Sequence, residues 1–194
     1  HSSVTFPLHS TDAMRLWQGI SGRQPARHNV PGIQSCLIKL KRIQYAAIHG
    51  DSKADAWLWW LEHKRLSAIA QITQLRQLAG DRLQTLPDRL TTGHCHNPHP
   101  TIITLPQSLI SPPGMRIIYL LLEFDLLAGE VIQTSQLALF TWRERNRLLW
   151  QGSHVVRSLL MLAQGFSFAA IAGKSKAHSV PPADNNNVSG STDE

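Results

Sequence analysis

The chain opens with apolar and polar positions at a period of two. From Ser3 to His9, the side chains of Val4, Phe6 and Leu8 fall on one side and those of Ser3, Thr5, Pro7 and His9 on the other, the pattern of a half-buried strand. Pro7 cannot donate to a ladder, so the strand is an edge or belongs to a two-stranded ribbon. The spacing then changes to three and four. Ser10 or Thr11 caps a short helix, Asp12 to Gln18, which buries Ala13, Leu16 and Trp17 and ends at Gly19. After a polar and basic connection, Ser21 to Val30, a second helix starts around Pro31 and Gly32. It carries Ile33, Leu37, Leu40, Ile43, Ala47 and Ile48 on to Gly50.

The longest helical pattern follows. Ala54, Trp57, Leu58, Leu61, Arg65, Ala68, Ile69, Ile72, Leu75 and Ala79 share one face, and Arg65 is the only charge among them. Ser52 with Asp55 three residues on resembles a capping box. Trp59 and Trp60 lie off the stripe, so the helix is expected to touch neighbours on two sides, since each solvated indole would leave about 150–250 Å² of buriable surface in water. Beyond Gly80 a separate short helix is expected from Asp81 to Leu86, then a polar loop from Thr91 to Pro100 and a short strand from Thr101 to Leu105.

Met115 to about Ile132 is apolar nearly all round and reads as a buried helix. Asp125 then faces the interior and needs a donor, with Arg116 and Arg157 as the alternatives. Thr141 with Glu144 forms a clearer capping box, opening a helix with Leu148 and Leu149 inward and Arg143, Arg145 and Arg147 on other faces. A last helix runs from Ser153 to Gly165 through Val156, Leu159, Leu160 and Ala163. These elements predict a mainly α fold. Residues 1–50 form a ribbon-helix-helix-like segment, a strand plus two helices. Residues 51–173 form a helical extension packed on it with at most one further short strand, and residues 174–194, without periodicity, a disordered tail.

Charge sharpens the picture at one end only. The formal net charge is +6, and residues 1–50 hold Arg15, Arg23, Arg27, Lys39, Lys41 and Arg42 against Asp12 alone, whereas residues 51–150 are nearly balanced. A polyanion would be drawn to the N-terminal quarter, although a solvated basic face accounts for the same excess. Cys36 and Cys95 make no disulfide framework and fit a reducing, cytoplasmic setting. No run is long and apolar enough to span a membrane, His1 to Asp12 lacks the order of a signal peptide, and the absence of an initiator methionine suggests a natural start elsewhere.

Chemistry is sparse. His94, Cys95, His96 and His99 have metal-ligand types at a spacing that matches no standard zinc finger, so an ordinary polar loop and no metal is the expectation. Glu123 and Asp125, two apart on a helix, cannot work as an acid–base pair. No nucleophile elbow, phosphate loop or dinucleotide fingerprint appears, so neither an enzyme nor a cofactor is expected.

The strand–helix–helix order instead suits a ribbon-helix-helix dimer, in which the first strands of two chains pair and enter the major groove of double-stranded DNA. Ser3, Thr5 and His9 would then face the groove, with Val4, Phe6 and Leu8 on the dimer core. The amides around Gly32 would meet a phosphate, and Arg23, Arg27, Lys39 and Arg42 would make further phosphate contacts. The alternative is a first strand that pairs with Thr101 to Leu105 in the same chain.

Four segments carry a family resemblance: Phe-Pro-Leu-His-Ser-Thr-Asp-Ala-Met-Arg-Leu-Trp-Gln-Gly from Phe6, Gly-Asp-Ser-Lys-Ala-Asp-Ala-Trp-Leu from Gly50, Tyr-Leu-Leu-Leu-Glu-Phe-Asp-Leu-Leu from Tyr119, and Val155 to Arg157. Over Val4 to Gly173 the chain resembles the AcaB-like proteins of integrating conjugative elements and conjugative plasmids. Asp51 to Asp55 reads Asp-Ser-Lys-Ala-Asp where the family usually has Asp-Pro-Tyr-Ala-Asp. The resemblance implies a DNA-binding transcriptional activator of conjugation genes with a ribbon-helix-helix core. The expectation is therefore a homodimeric DNA-binding regulator of conjugative transfer with no membrane and no small-molecule substrate. A helical protein-interaction component of the element, without nucleic-acid binding, is the alternative.

Overall fold

The computed structural model describes residues 3–20, 30–87 and 99–168. Its elements are β1 (Ser3–Leu8), α1 (Thr11–Gln18), β2 (Gly19–Ile20), β3 (Val30–Pro31), α2 (Ile33–Ile48), α3 (Ser52–Leu83), β4 (Thr101–Pro106), α4 (Pro112–Gln136) and α5 (Trp142–Gln164). The fold is mainly helical, as the spacing predicts. β1 pairs antiparallel with β4, Ser3 opposite Pro106 and Leu8 opposite Thr101, and β2 with β3. The first strand therefore finds its partner inside the chain, and the reading that needed a second chain's strand gives way to the intrachain pairing. The reason lies on its inner face. Phe6 and Leu8 are buried in the same core as Leu105 of β4, and Phe6 meets Trp17 of α1 edge-on at 5.6 Å.

α3 is one helix through Leu83, not two; no proline or cap interrupts it at Gly80. Its apolar face is buried where the period places it, with Ala54 buried, Leu61, Ala68, Ile72 and Ala79 in the core and Trp57, Ile69 and Leu75 partly buried against it. Two local expectations fail. The cap is Asp51, whose carboxylate accepts from the amides of Lys53 and Ala54, so Ser52 already lies inside the helix. Trp59 is 64% exposed and lies tilted against His63 one turn on, with ring centroids 3.9 Å apart, so this indole is not buried, although α3 does touch more than one neighbour, packing against α2, α4 and α5.

α4 is buried over most of its circumference, with Ile117, Leu120, Leu121, Phe124, Leu127 and Ala128 in the core, but Tyr119 and Leu126 keep one stripe of it at the surface against the all-round burial that its composition predicts. α5 begins with the predicted capping box, Thr141 accepting from the Glu144 amide and Glu144 from the Thr141 amide. The helix then runs unbroken through Gly152, where a break is expected from sequence. That glycine serves packing: a Cβ there would stand 2.8 Å from Leu127 and 3.0 Å from Phe124, so its absence lets α5 lie close on α4.

Ion pairs brace the seam between α3 and α4. Arg76 holds Glu130 through Nε and Nη2 and Glu123 through Nη1 at 2.7 Å. Glu62 takes Arg65 and Arg116. The Arg65 hydrogen bonds hold the Glu62 carboxyl below the ordinary carboxylate range. Asp125, buried in α4, turns the other way. Its oxygens accept from the amides of His9 and Ser10, both at 2.8 Å, and one lies 3.2 Å from the His9 ring. Its donors are thus backbone amides at the end of β1, not the expected Arg116 or Arg157. Those amides lie where β1 has ended and α1, capped by Ser10, has just begun.

Candidate nucleic-acid interface

The β1–β4 pair leaves an outer face. Ser3, Thr5 and Pro7 of β1 and Ile102, Thr104 and Pro106 of β4 are exposed, while Phe6, Leu8 and Leu105 are buried beneath them. Thr5 stands opposite Thr104 and Pro7 opposite Ile102, so two hydroxyls and an apolar edge share the ribbon's surface. A two-stranded ribbon has the dimensions that a major groove about 12 Å wide admits. Thr104 and Ile102 were missed as surface candidates from sequence, although the β-branched run that holds them was legible as a strand.

His9 and Gly32 lie elsewhere than their strand and helix positions suggest. The His9 ring turns to Asp125 at the foot of the strand rather than out with Thr5. Gly32 is buried: a Cβ on it would come within 2.5 Å of the Trp17 carbonyl oxygen, so this residue lets the start of α2 press on the end of α1. The exposed side chains of the first turn of α2 are those of Gln34 and Ser35.

Of the cations of α2, Lys41 stands by the turn that follows the ribbon, while Lys39 and Arg42 stand by the end of α5 and Phe168. β4 runs into a 3-10 turn, Gln107–Leu109, and Lys41 donates to the Ser108 carbonyl oxygen at 2.5 Å. The Arg42 guanidinium lies 4.8 Å from the centre of the Phe168 ring, and Lys39 donates to the Gln164 carbonyl oxygen at the end of α5. α2 contains no acidic residue, and among the described residues none of these three cations has a carboxylate partner. Their charge is left to face solvent. Cys36, on the inner side of the same helix, is fully buried, and burial pushes its thiol up, which makes it a packing group rather than a reactive one.

Arg23 and Arg27, the other expected phosphate contacts, lie outside the described residues, as do His94, Cys95, His96 and the tail from residue 174. Among the described residues no three metal-ligand side chains come together, and no helix is long and apolar enough to cross a membrane. Glu123 and Asp125 point apart, one to Arg76 and the other to His9, as their spacing predicts.

Residues 1–184 match the family model described as "Transcriptional regulator AcaB". No protein with a curated description matches. Among solved structures, the crystal structure of selenomethionine-containing AcaB from uropathogenic E. coli is similar. The TM-score is 0.56 and the identity 16%, over 84% of this chain and 76% of that one, a likeness of fold.

Proposed function

The chain belongs to the AcaB family of transcriptional regulators, not an enzyme family, and on that premise we propose that it binds double-stranded DNA with the outer face of the β1–β4 ribbon and the basic flank of α2. The observation that carries this reading is a set of cations on α2 without carboxylate partners among the described residues, Lys39, Lys41 and Arg42, of which Lys41 reaches the turn that follows an exposed ribbon bearing no charge. In such an arrangement the cations attract and register the phosphates, while Thr5, Thr104 and Ser3 reach base edges and Ile102 meets a thymine methyl. Arg23 and Arg27 belong to the same proposal as further phosphate contacts, and residues 1–50 with β4 are its DNA-binding unit. The residues of α3, α4 and α5 form the extension that holds this unit in place. The regulated genes are those of conjugative transfer, the role that the sequence resemblance implies.

β4 supplies the partner that β1 otherwise needed from a second chain, so that argument for a homodimer falls away. Sedimentation with duplex decides between one ribbon per site and two; a dimer would present half-sites about 34 Å apart.

Anisotropy of a labelled promoter duplex from the element, over a salt series, tests the reading. Log affinity should fall linearly with log salt, and Arg42→Gln should weaken all sequences alike and reduce the slope by about one. Thr5→Ala and Thr104→Ala should narrow the gap between promoter and unrelated duplex. Affinity indifferent to salt would refute the proposal. The exposed indoles of Trp59, Trp142 and Trp150 favour a second reading, a regulator that acts through a protein partner without touching DNA. Absence of any shift at low salt selects it.

A further inference from the structure

The same flank of α2 borders a hollow that DNA contact does not use. It lies between Ile38, Lys41, Arg42 and Tyr45 of α2, Leu109 of the turn after β4, and Phe168 beyond α5, with a volume of about 670 Å³. That is within the range of sites for small organic ligands, about 300–1,000 Å³. Its walls are almost wholly carbon, yet Ile38 is 51% and Tyr45 65% exposed, so nothing in the described chain covers them. At the lip stand two cations, Lys41 resting on a backbone carbonyl and Arg42 on an aromatic ring.

The two features constrain the occupant together. A duplex would neutralise the cations but leave the apolar walls in water. A second copy docked across a two-fold axis would cover the walls, but α2 itself holds no acid to meet Lys41 and Arg42 there. A small amphipathic anion satisfies both. We propose that this hollow binds a carboxylate of the medium-chain fatty acid class, its chain along Ile38, Tyr45, Leu109 and Phe168 and its head on Arg42, whose planar fork suits a carboxylate, with Lys41 beside it. Such a molecule is an effector rather than a substrate, since the lining holds no aspartate, glutamate or histidine to serve the hydroxyl of Ser108 or Tyr45 as a general base. Arg42 also belongs to the proposed DNA face, so occupancy would withdraw one phosphate contact. That consequence rests on the DNA reading; the binding itself does not.

Calorimetry on the full chain at neutral pH, below micelle-forming concentrations, tests the site with three probes. Decanoate should bind one to one. Decyltrimethylammonium, with the same chain and the opposite charge, and acetate, with the head alone, should each bind at least about tenfold more weakly. Arg42→Gln, Lys41→Gln and Phe168→Ala should each lower decanoate affinity about tenfold, with thermal unfolding recorded to show that each variant is folded. Equal binding of the two surfactants, no decanoate heat, or an affinity indifferent to all three substitutions would overturn the proposal. So would a concentration-dependent dimer that Ile38→Glu abolishes, because a second copy would then fill the hollow. A protein that binds duplex but ignores decanoate refutes the site and leaves the DNA reading standing; one that binds decanoate but no duplex does the reverse.

Discussion

The α3–α4 seam and the outer side of α2 treat charge in opposite ways. In the seam Arg65, Arg76 and Arg116 each meet a glutamate, and buried Asp125 is satisfied by two amides. On α2 Lys39, Lys41 and Arg42 meet carbonyl oxygens and a ring, and large apolar side chains stay in water beside them. Groups that hold a fold together are paired within it, because an unpaired buried charge costs several kcal/mol. Groups left unpaired at the surface cost the fold little and remain available to a partner. The contrast teaches where to look: the stabilising electrostatics of this chain and its recognition electrostatics occupy different helices.

That division can be broken most forcefully at Asp125. Asp125→Ala leaves the His9 and Ser10 amides without their acceptor and should cost about 3 kcal/mol in denaturant unfolding. A loss under about 1 kcal/mol would mean that the junction of β1 and α1 is not held by this carboxylate. Trp57→Ala comes next. The indole is partly buried and meets Phe166 edge-on at 5.4 Å, so its removal should cost about 2 kcal/mol without selectively changing duplex binding. A folded Trp57→Ala protein that has lost only DNA affinity would show that α3 belongs to the recognition surface.

Arg76→Ala should cost about 1 kcal/mol, more than an ordinary exposed pair because one guanidinium serves two glutamates, whereas Lys41→Gln should change stability by less than about 0.5 kcal/mol. Equal losses for the two would erase the contrast. The smallest effect is a pH dependence. Glu62 has its pKa lowered by Arg65, so its contribution is present above the ordinary carboxylate range and lost as pH falls through its folded value. Glu62 is part-exposed and screened by solvent, so the contribution is about 0.5 kcal/mol or less. Glu62→Gln should flatten the acid limb of stability against pH; an acid limb unchanged from the parent would assign the sensitivity elsewhere.

The pattern along the chain determined a great deal. It placed the half-buried strand at Ser3 to His9, one residue longer than β1, the buried stripe of α3, the nearly all-apolar α4 and the capping box at Thr141, because each follows from a period or from residues three apart that fold locally. It also located the basic excess to which the exposed cations of α2 belong. Where it failed, the deciding groups were distant or invisible in one-letter code. The partner of β1 lies about a hundred residues on, at β4, and competed in sequence with a strand from a second chain; the common core under Phe6 and Leu105 decided it.

Asp125 was given arginine as its donor because side-chain cations are written in the sequence, whereas backbone amides freed between a strand and a helix are not. Trp59 was expected to be covered because burial is the usual fate of an indole, and only the arrangement of the helices leaves that face open. The separate last helix expected from Ser153 is continuous with the one opened at Thr141, and Gly152 between them serves the close contact with α4. The hollow beside Arg42 needs α2, the turn after β4 and Phe168 together, three stretches whose proximity no local spacing encodes. Sequence by itself set the elements and their charge; long-range packing alone chose which faces they spend on each other and which they leave for a partner.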